Sequence, residues 1–289
     1  MNSRNIKYLK VLALMSSVRW YNILLTAFAQ YLSAICIFNS FPEGLLVILF
    51  DLRLHLIVLC TLLIIAGGFL INDFYDFKHD LIVRPHITIF QEYLSKDFRI
   101  RLYVWLNLIA LGLALIASFE IFLYFFVLAF SLWFYSHKLK KYPLIKEIAS
   151  SLLTVSCFFS VGMHYGKIYW EVIAFGVYFT MLLFTKAIIK GKEEVKGDIL
   201  LQRNSIAGIL GDRRTRIVIS ISILIQLVYS VFLYFQFYPA HWLYYIFFSN
   251  ITLLGVLFGL LKLRQGDFYI LNFVFKVLIV LGTLNLVFF

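Results

Sequence analysis

The sequence predicts an all-α, polytopic membrane protein of about nine spanning helices, and three observations carry that prediction. First, 62% of the 289 residues are hydrophobic and only 14% are charged, against roughly 45–50% and roughly 25% in an ordinary soluble domain. Second, apolar runs close to the ~20 residues needed to cross a bilayer recur along the whole chain. Third, the basic residues gather on one side of those runs, the asymmetry that orients helical membrane proteins.

The runs fall at 20–38, 54–72, 102–118, 120–136, 146–164, 169–189, 216–236, 242–261 and 268–288. Ahead of the first, "MNSRNIKYLKVLALMSSVR" is basic and amphipathic and ends in no small-residue cleavage site, so it does not read as a signal peptide. With this arm in the cytoplasm, 23 of the 26 Lys and Arg lie on that side, all but Arg53, Lys167 and Lys276. The expected topology is N-terminus in and C-terminus out, in a bacterial inner (cytoplasmic) membrane. The formal net charge of +11 is then mostly topological, and no nucleic-acid partner is expected. Cys36, Cys60 and Cys157 sit inside apolar runs without CxxC spacing, as small fillers rather than disulfide or zinc ligands. The whole chain, 1–289, reads as one integral-membrane domain.

Two inner loops, after the second and sixth runs, are long and carry most of the acids outside the spans. Long loops in a compact protein are functional or disordered, and helix-like charge patterns favour function here. Their position four spans apart hints at a distant pseudo-repeat. In the first, "INDFYDFKHD" (71–80), a continued helix puts Asn72, Asp73, Asp76 and Asp80 within about 100° of arc. Such a face suits Mg²⁺, which binds a few carboxylates plus substrate phosphate oxygens. An Asp-rich solvated helix end is the plainer reading, but carboxylates are disfavoured at a helix C-terminus, so something positive is expected there. The second cluster is "KAIIKGKEEVKGD" (186–198). Lys186, Lys190, Glu194 and Asp198 follow one another at i, i+4, i+8 and i+12, which fits either a surface ladder of intrahelical pairs or a second metal site. Two carboxylate clusters with cations between them are what a Mg²⁺-bound diphosphate requires. A membrane setting makes the rest of that substrate a long hydrocarbon. Loss of diphosphate from an allylic chain leaves a carbocation, which aromatic faces stabilise.

These segments resemble a known family. "NDFYDFKHDLIVRP" is similar to the NDxxDxxxD signature of the UbiA superfamily of intramembrane prenyltransferases, with its trailing Arg84-Pro85. "KGKEEVKGD" with "RNS" soon after resembles the family's second acidic motif, and "YSHKLKK" (135–141) the segment closing its fourth span. The resemblance implies a UbiA-type helical bundle and Mg²⁺-dependent transfer of a polyprenyl group from its diphosphate to an acceptor. "RWYN" (19–22) is most similar to the branch that prenylates geranylgeranylglyceryl phosphate. The chain departs from the family at Gly191 and Glu194, where aspartates are usual, at Lys186-Ala187, where a basic-acidic pair is usual, at Glu147, where many relatives have Asn, and after Arg84-Pro85, which "HITIF" follows.

The expected machinery follows. Asp73, Asp76 and Asp80 bind one Mg²⁺, with Asn72 orienting them or touching diphosphate; Glu194 and Asp198 bind the second. Arg84, Lys140, Lys190 and Arg203 neutralise phosphate oxygens, and Asn22 lines the acceptor pocket. The partners are a prenyl diphosphate, an acceptor and the bilayer. Two rival functions are an aromatic acceptor of quinone synthesis (4-hydroxybenzoate or a naphthoate) and a non-enzymatic transporter. The transporter reading is weakened because transporter sites lie near the midplane, whereas these acids sit at one interface. Lys276, a lone charge within its span, is read as snorkelling. Gln30 either lines a pocket or bridges helices, and His164 is an outer interfacial residue. His79, at about 340° on the wheel that holds the aspartates, is taken to point away from them and is not nominated.

Overall fold

The computed structural model describes residues 3–38, 45–201, 205–260, 262 and 267–289. The described elements are all helical. An N-terminal helix α1 (Ser3–Val18) leads into α2 (Trp20–Ser33), which runs on as a π turn, Ala34–Phe38. There follow α3 (Leu45–Leu49), α4 (Leu52–Val83), α5 (Pro85–Gln91), α6 (Lys96–Ala117), α7 (Phe119–His137) and α8 (Ile145–His164). The second half holds α9 (Trp170–Glu193), α10 (Val195–Leu200), α11 (Ile206–Phe237), α12 (Leu243–Gly259) and α13 (Phe268–Leu284). Helices are what an apolar chain in lipid must form, since they satisfy every backbone polar group internally. Eight of these stretches are long and apolar enough to cross a membrane. The ninth predicted span is α12, an apolar helix of 17 residues, a turn short of the usual ~20.

The burial pattern is that of a membrane bundle. On α11, Phe235 is 87% exposed while Gln226 is fully buried: apolar groups face outward and polar ones inward. One core joins α9, α11, α12 and α13; a second joins α4, α6 and α7; a third packs α2 and its π turn against α4 and α8. Gln30 settles as a bridge between helices. Its buried Nε2 stands 2.9 Å from Thr61 Oγ1, 2.8 Å from the Cys157 carbonyl and 3.1 Å from Ser160 Oγ, tying α2 to α4 and α8. The three cysteines are free thiols.

Helix lengths position the acidic motifs. The 32 residues of α4 rise about 48 Å at 1.5 Å each, well beyond a hydrocarbon core of about 30 Å. The helix begins where the Asp51 carboxylate accepts the Leu54 N–H at 3.0 Å, an N-cap worth about 1 kcal/mol. It ends at Arg84 (φ −138°, ψ 58°), because the residue before a proline is pushed out of the helical region. Pro85 then opens α5 at a position where a helix has no use for its missing N–H. In the second half the chain repeats this plan: α9 carries Lys190 to its end, short α10 follows with Asp198, and the next long helix begins. The loops after the second and sixth spans, whose charge patterns are helix-like, hold the short helices α5 and α10.

Candidate active site

The extension of α4 past the bilayer presents the first motif to the N-terminal helices. Arg19 joins α1 to α2 in the left-handed region (φ 52°, ψ 55°), a conformation uncommon for a residue with a side chain and associated with functional sites. The turn brings its guanidinium over the Phe69 ring, 4.9 Å from the centroid, and 3.7 Å from Asp73 Oδ1. A cavity of about 490 Å³ opens here, bounded by α1, the start of α2, α5, and the side chains of Arg19, Asp73, Asp80 and Arg84. Sequence reasoning quoted Arg19 in a motif but gave it no role. Its importance rests on a backbone turn that no periodicity reveals.

The two acidic motifs meet. Arg84 reaches Asp80 Oδ1 at 3.3 Å and Glu194 Oε1 at 3.8 Å, so one guanidinium spans both clusters. Burial alone would lower the Arg84 pKa, but the Asp80 and Glu194 carboxylates outweigh it and push it up. His79 makes a second bridge, with Nε2 2.9 Å from Asp198 Oδ1 and Nδ1 3.5 Å from Asp80 Oδ1. Burial pushes the Asp198 carboxyl up, yet the His79 hydrogen bond and the Lys146 charge more than compensate and hold it low. The expectation that His79 points away is therefore wrong. At 340° it is only about 20° from Asn72 at the edge of the arc, and a single-helix wheel carries no information about α10. The close approach of α10 depends on Gly197: a Cβ there would collide with Val83 Cγ2 and touch His79 Nε2 at 3.4 Å.

The other expected residues fall as follows. Lys140 Nζ donates to Asn72 Oδ1 at 2.5 Å and to Asp76, so it engages the first motif directly. Lys190 lies 3.6 Å from Glu194. Asn22 is half-buried in the first turn of α2, and Arg203 lies outside the described residues. Glu193, the residue before Glu194 in the second acidic segment, accepts from Asn272 Nδ2 at 2.7 Å. Glu147 is buried and caps its own helix, accepting the Leu144 N–H at 2.9 Å.

Among the described residues no three Asp, Glu, His or Cys side chains stand close enough to enclose one cation. The expected ligands Asp73, Asp76, Asp80, Glu194 and Asp198 are thus not gathered into coordination spheres. Each stands instead beside a basic side chain: Asp73 beside Arg19, Asp76 beside Lys140, Asp80 beside Arg84, Glu194 beside Lys190 and Arg84, and Asp198 beside the His79 imidazole. The donor set still suits a hard divalent ion. It is all carboxylate and amide oxygen, and Asp73 Oδ2 and Asp198 Oδ2 are buried without a hydrogen-bond partner, a costly state that a bound cation relieves.

Comparison with known proteins identifies the fold and the family. The chain is 25% identical over 228 residues to the digeranylgeranylglyceryl phosphate synthase of Sulfurisphaera tokodaii, covering 78% of each. It is 26% identical over 236 residues to the synthase of that name from Methanobrevibacter smithii, covering 79% of this chain and 82% of the relative. Its fold matches a solved structure of digeranylgeranylglyceryl phosphate synthase with a TM-score of 0.73 at 19% identity, over 96% of this chain and 97% of the other. A UbiA homologue from Archaeoglobus fulgidus bound to GPP and Mg²⁺ superposes with a TM-score of 0.70 at 14% identity, over 95% and 99%. The sequence profile of the UbiA prenyltransferase family matches residues 44–268, and the chain belongs to that family of membrane-embedded prenyl-transferring enzymes.

Proposed function

We propose that the protein transfers a geranylgeranyl-type chain from its diphosphate to geranylgeranylglyceryl phosphate, the reaction named for its relatives. The observation that carries the reading is the bridging of two acidic motifs by Arg84 beside a cavity at the end of an apolar bundle. A diphosphate belongs at that junction and its hydrocarbon tail among the helices. Arg19, Arg84, Lys140 and Lys190 supply fixed positive charge that binds and orients the diphosphate oxygens. Asp73, Asp76 and Asp80 would hold one Mg²⁺, and Glu194 with Asp198 a second. Bound there, Mg²⁺ supplies neutralisation of the leaving diphosphate. In the transfer, the allylic C–O bond breaks with its electron pair leaving on diphosphate. A new C–O bond forms to the acceptor hydroxyl, which gives up its proton. The site opens to the cytoplasmic leaflet of the membrane, and since the relatives are archaeal, nothing restricts that membrane to bacteria.

The test is release of diphosphate from a labelled prenyl diphosphate in membranes containing Mg²⁺. Asp76→Asn should lose release by about a hundredfold or more, as charge-assisted contacts at a reacting phosphate predict. Equal release by variant and wild type would overturn the mechanism. Offering geranylgeranylglyceryl phosphate and 4-hydroxybenzoate side by side, with product identification, tests the acceptor; prenylated hydroxybenzoate as the product would replace the ether-lipid reading.

A further inference from the structure

Lys276 is a charge inside a span that the diphosphate site does not use. Its neighbours follow from the antiparallel register of α9 and α13. At one end, Asn272 donates to Glu193 at 2.7 Å. At the other, a Cβ on Gly282 would meet Phe179 at 2.7 Å, and Phe179 lines one apolar cavity with Gly282 and Thr283. Counting from the Asn272–Glu193 contact sets Ile189 opposite Lys276, counting from the Gly282–Phe179 contact sets Thr185 there, and Lys186 lies between the two. The two ammonium groups act on each other electrostatically, and Arg19 acts on Lys186 as well.

Their neighbours each have a carboxylate: Arg19 has Asp73 at 3.7 Å and Lys190 has Glu194 at 3.6 Å. Among the described residues, no carboxylate lies within ion-pair distance of Lys186 or Lys276. Two unpaired like charges at membrane depth repel through a medium that screens them poorly. An anion between them removes the repulsion. Lys276 is exposed on the bundle's flank while Lys186 is half-buried, so the pair is reachable by a molecule arriving sideways from the bilayer.

We propose that Lys186 and Lys276 form a subsite for the phosphate monoester of the lipid acceptor, one helical turn further into the bundle than Lys190. This rests on the acceptor reading above and deepens it. The donor diphosphate belongs to the acidic motifs, and the acceptor's own phosphate to the α9–α13 seam. Discrimination between phosphorylated and unphosphorylated acceptors then comes from these two lysines.

The experiment uses the full-length protein in zwitterionic nanodiscs, with Lys276→Met and Lys276→Arg. For Lys276→Met the KM for geranylgeranylglyceryl phosphate should rise by about tenfold to a hundredfold, the worth of one charged hydrogen bond, while the KM for prenyl diphosphate stays put. Preference over the phosphate-free acceptor should shrink by the same factor, and Lys276→Arg should restore much of it. A matching rise in the donor KM, or an equal loss with the phosphate-free acceptor, overturns the subsite. So does loss of the wild-type advantage when phosphatidylglycerol is added, which would mean the lysines serve bulk headgroups. If the wild type makes no product from the phosphate acceptor, the acceptor reading itself falls. Equilibrium binding of that lipid then judges the subsite: binding lost in Lys276→Met supports it, and equal binding overturns it.

Discussion

At the scale of single residues, the departure that matters most is Gly191. The aspartate that the family resemblance implies at this position would add a carboxylate one residue past Lys190 and three before Glu194. The backbone does not forbid a side chain: Gly191 lies inside α9, and no heavy atom stands within 4 Å of a Cβ built there. Glycine in a helix interior also costs about 1 kcal/mol relative to alanine. Gly191→Asp should therefore fold and lower the Mg²⁺ concentration for half-maximal diphosphate release by about tenfold, the lower range for one group in a ligand shell. Gly191→Ala is the control, gaining helix propensity without a ligand. If alanine lowers the Mg²⁺ requirement as much as aspartate does, the second motif is not short of a carboxylate. Residue identities were the most legible part of the site in the sequence. The four polar side chains of the first motif and both acids of the second could be nominated because their spacing is local. His79 and Arg19 were not, since one depends on packing against α10 and the other on a left-handed turn.

At the scale of elements, the chain fastens its helices at both ends by different means. The end that carries the acidic motifs uses the Arg84 and His79 bridges. The opposite end uses Asp51, which caps α4 and also takes His164 Nε2 at 2.7 Å and Tyr165 Oη at 3.4 Å, locking the start of α4 to the end of α8. Reading His164 as merely interfacial missed its partner, 113 residues away in sequence. Burial pushes the Asp51 carboxyl up, but the His164 and Leu54 hydrogen bonds dominate and hold its pKa below the ordinary value. A carboxylate with a depressed folded-state pKa stabilises fully above the unfolded value of about 3.9, and that contribution is lost as pH falls through the folded value. The thermal midpoint of the detergent-solubilised wild type should consequently drop more steeply between about pH 5 and about pH 3 than that of Asp51→Asn. Asparagine keeps the N-cap and cannot titrate. Parallel pH profiles for the two proteins would show that this contact contributes no pH-dependent stability.

At the scale of the whole molecule, what the sequence revealed was number and order of helices, because the apolar runs are continuous and long. It could not reveal which helices touch, such as α9 against α13, since that is fixed by side-chain packing across the bundle. The proposed orientation is different: it rests on a sum over the chain. The basic face is also the acid-motif face, so part of its charge could simply serve anionic ligands. Lys138, Lys141, Arg213 and Arg214 separate the two explanations. All four are exposed, and none has a carboxylate within ion-pair distance among the described residues. They exceed what a diphosphate site needs and fit the bias of short cytoplasmic loops toward Lys and Arg. The flank opposite the acidic motifs, by contrast, carries only Arg53 and Lys167 of the 26 Lys and Arg by the sequence-based span assignment. Orientation can be read by single-cysteine labelling, with Cys36, Cys60 and Cys157 first replaced by alanine. Glu92, exposed between α5 and α6, and Tyr238, 80% exposed between α11 and α12, are suitable sites. A membrane-impermeant maleimide should label Tyr238→Cys in intact cells and Glu92→Cys only in inverted vesicles. The reverse pattern would place both acidic motifs on the outer surface, away from any cytoplasmic supply of prenyl diphosphate.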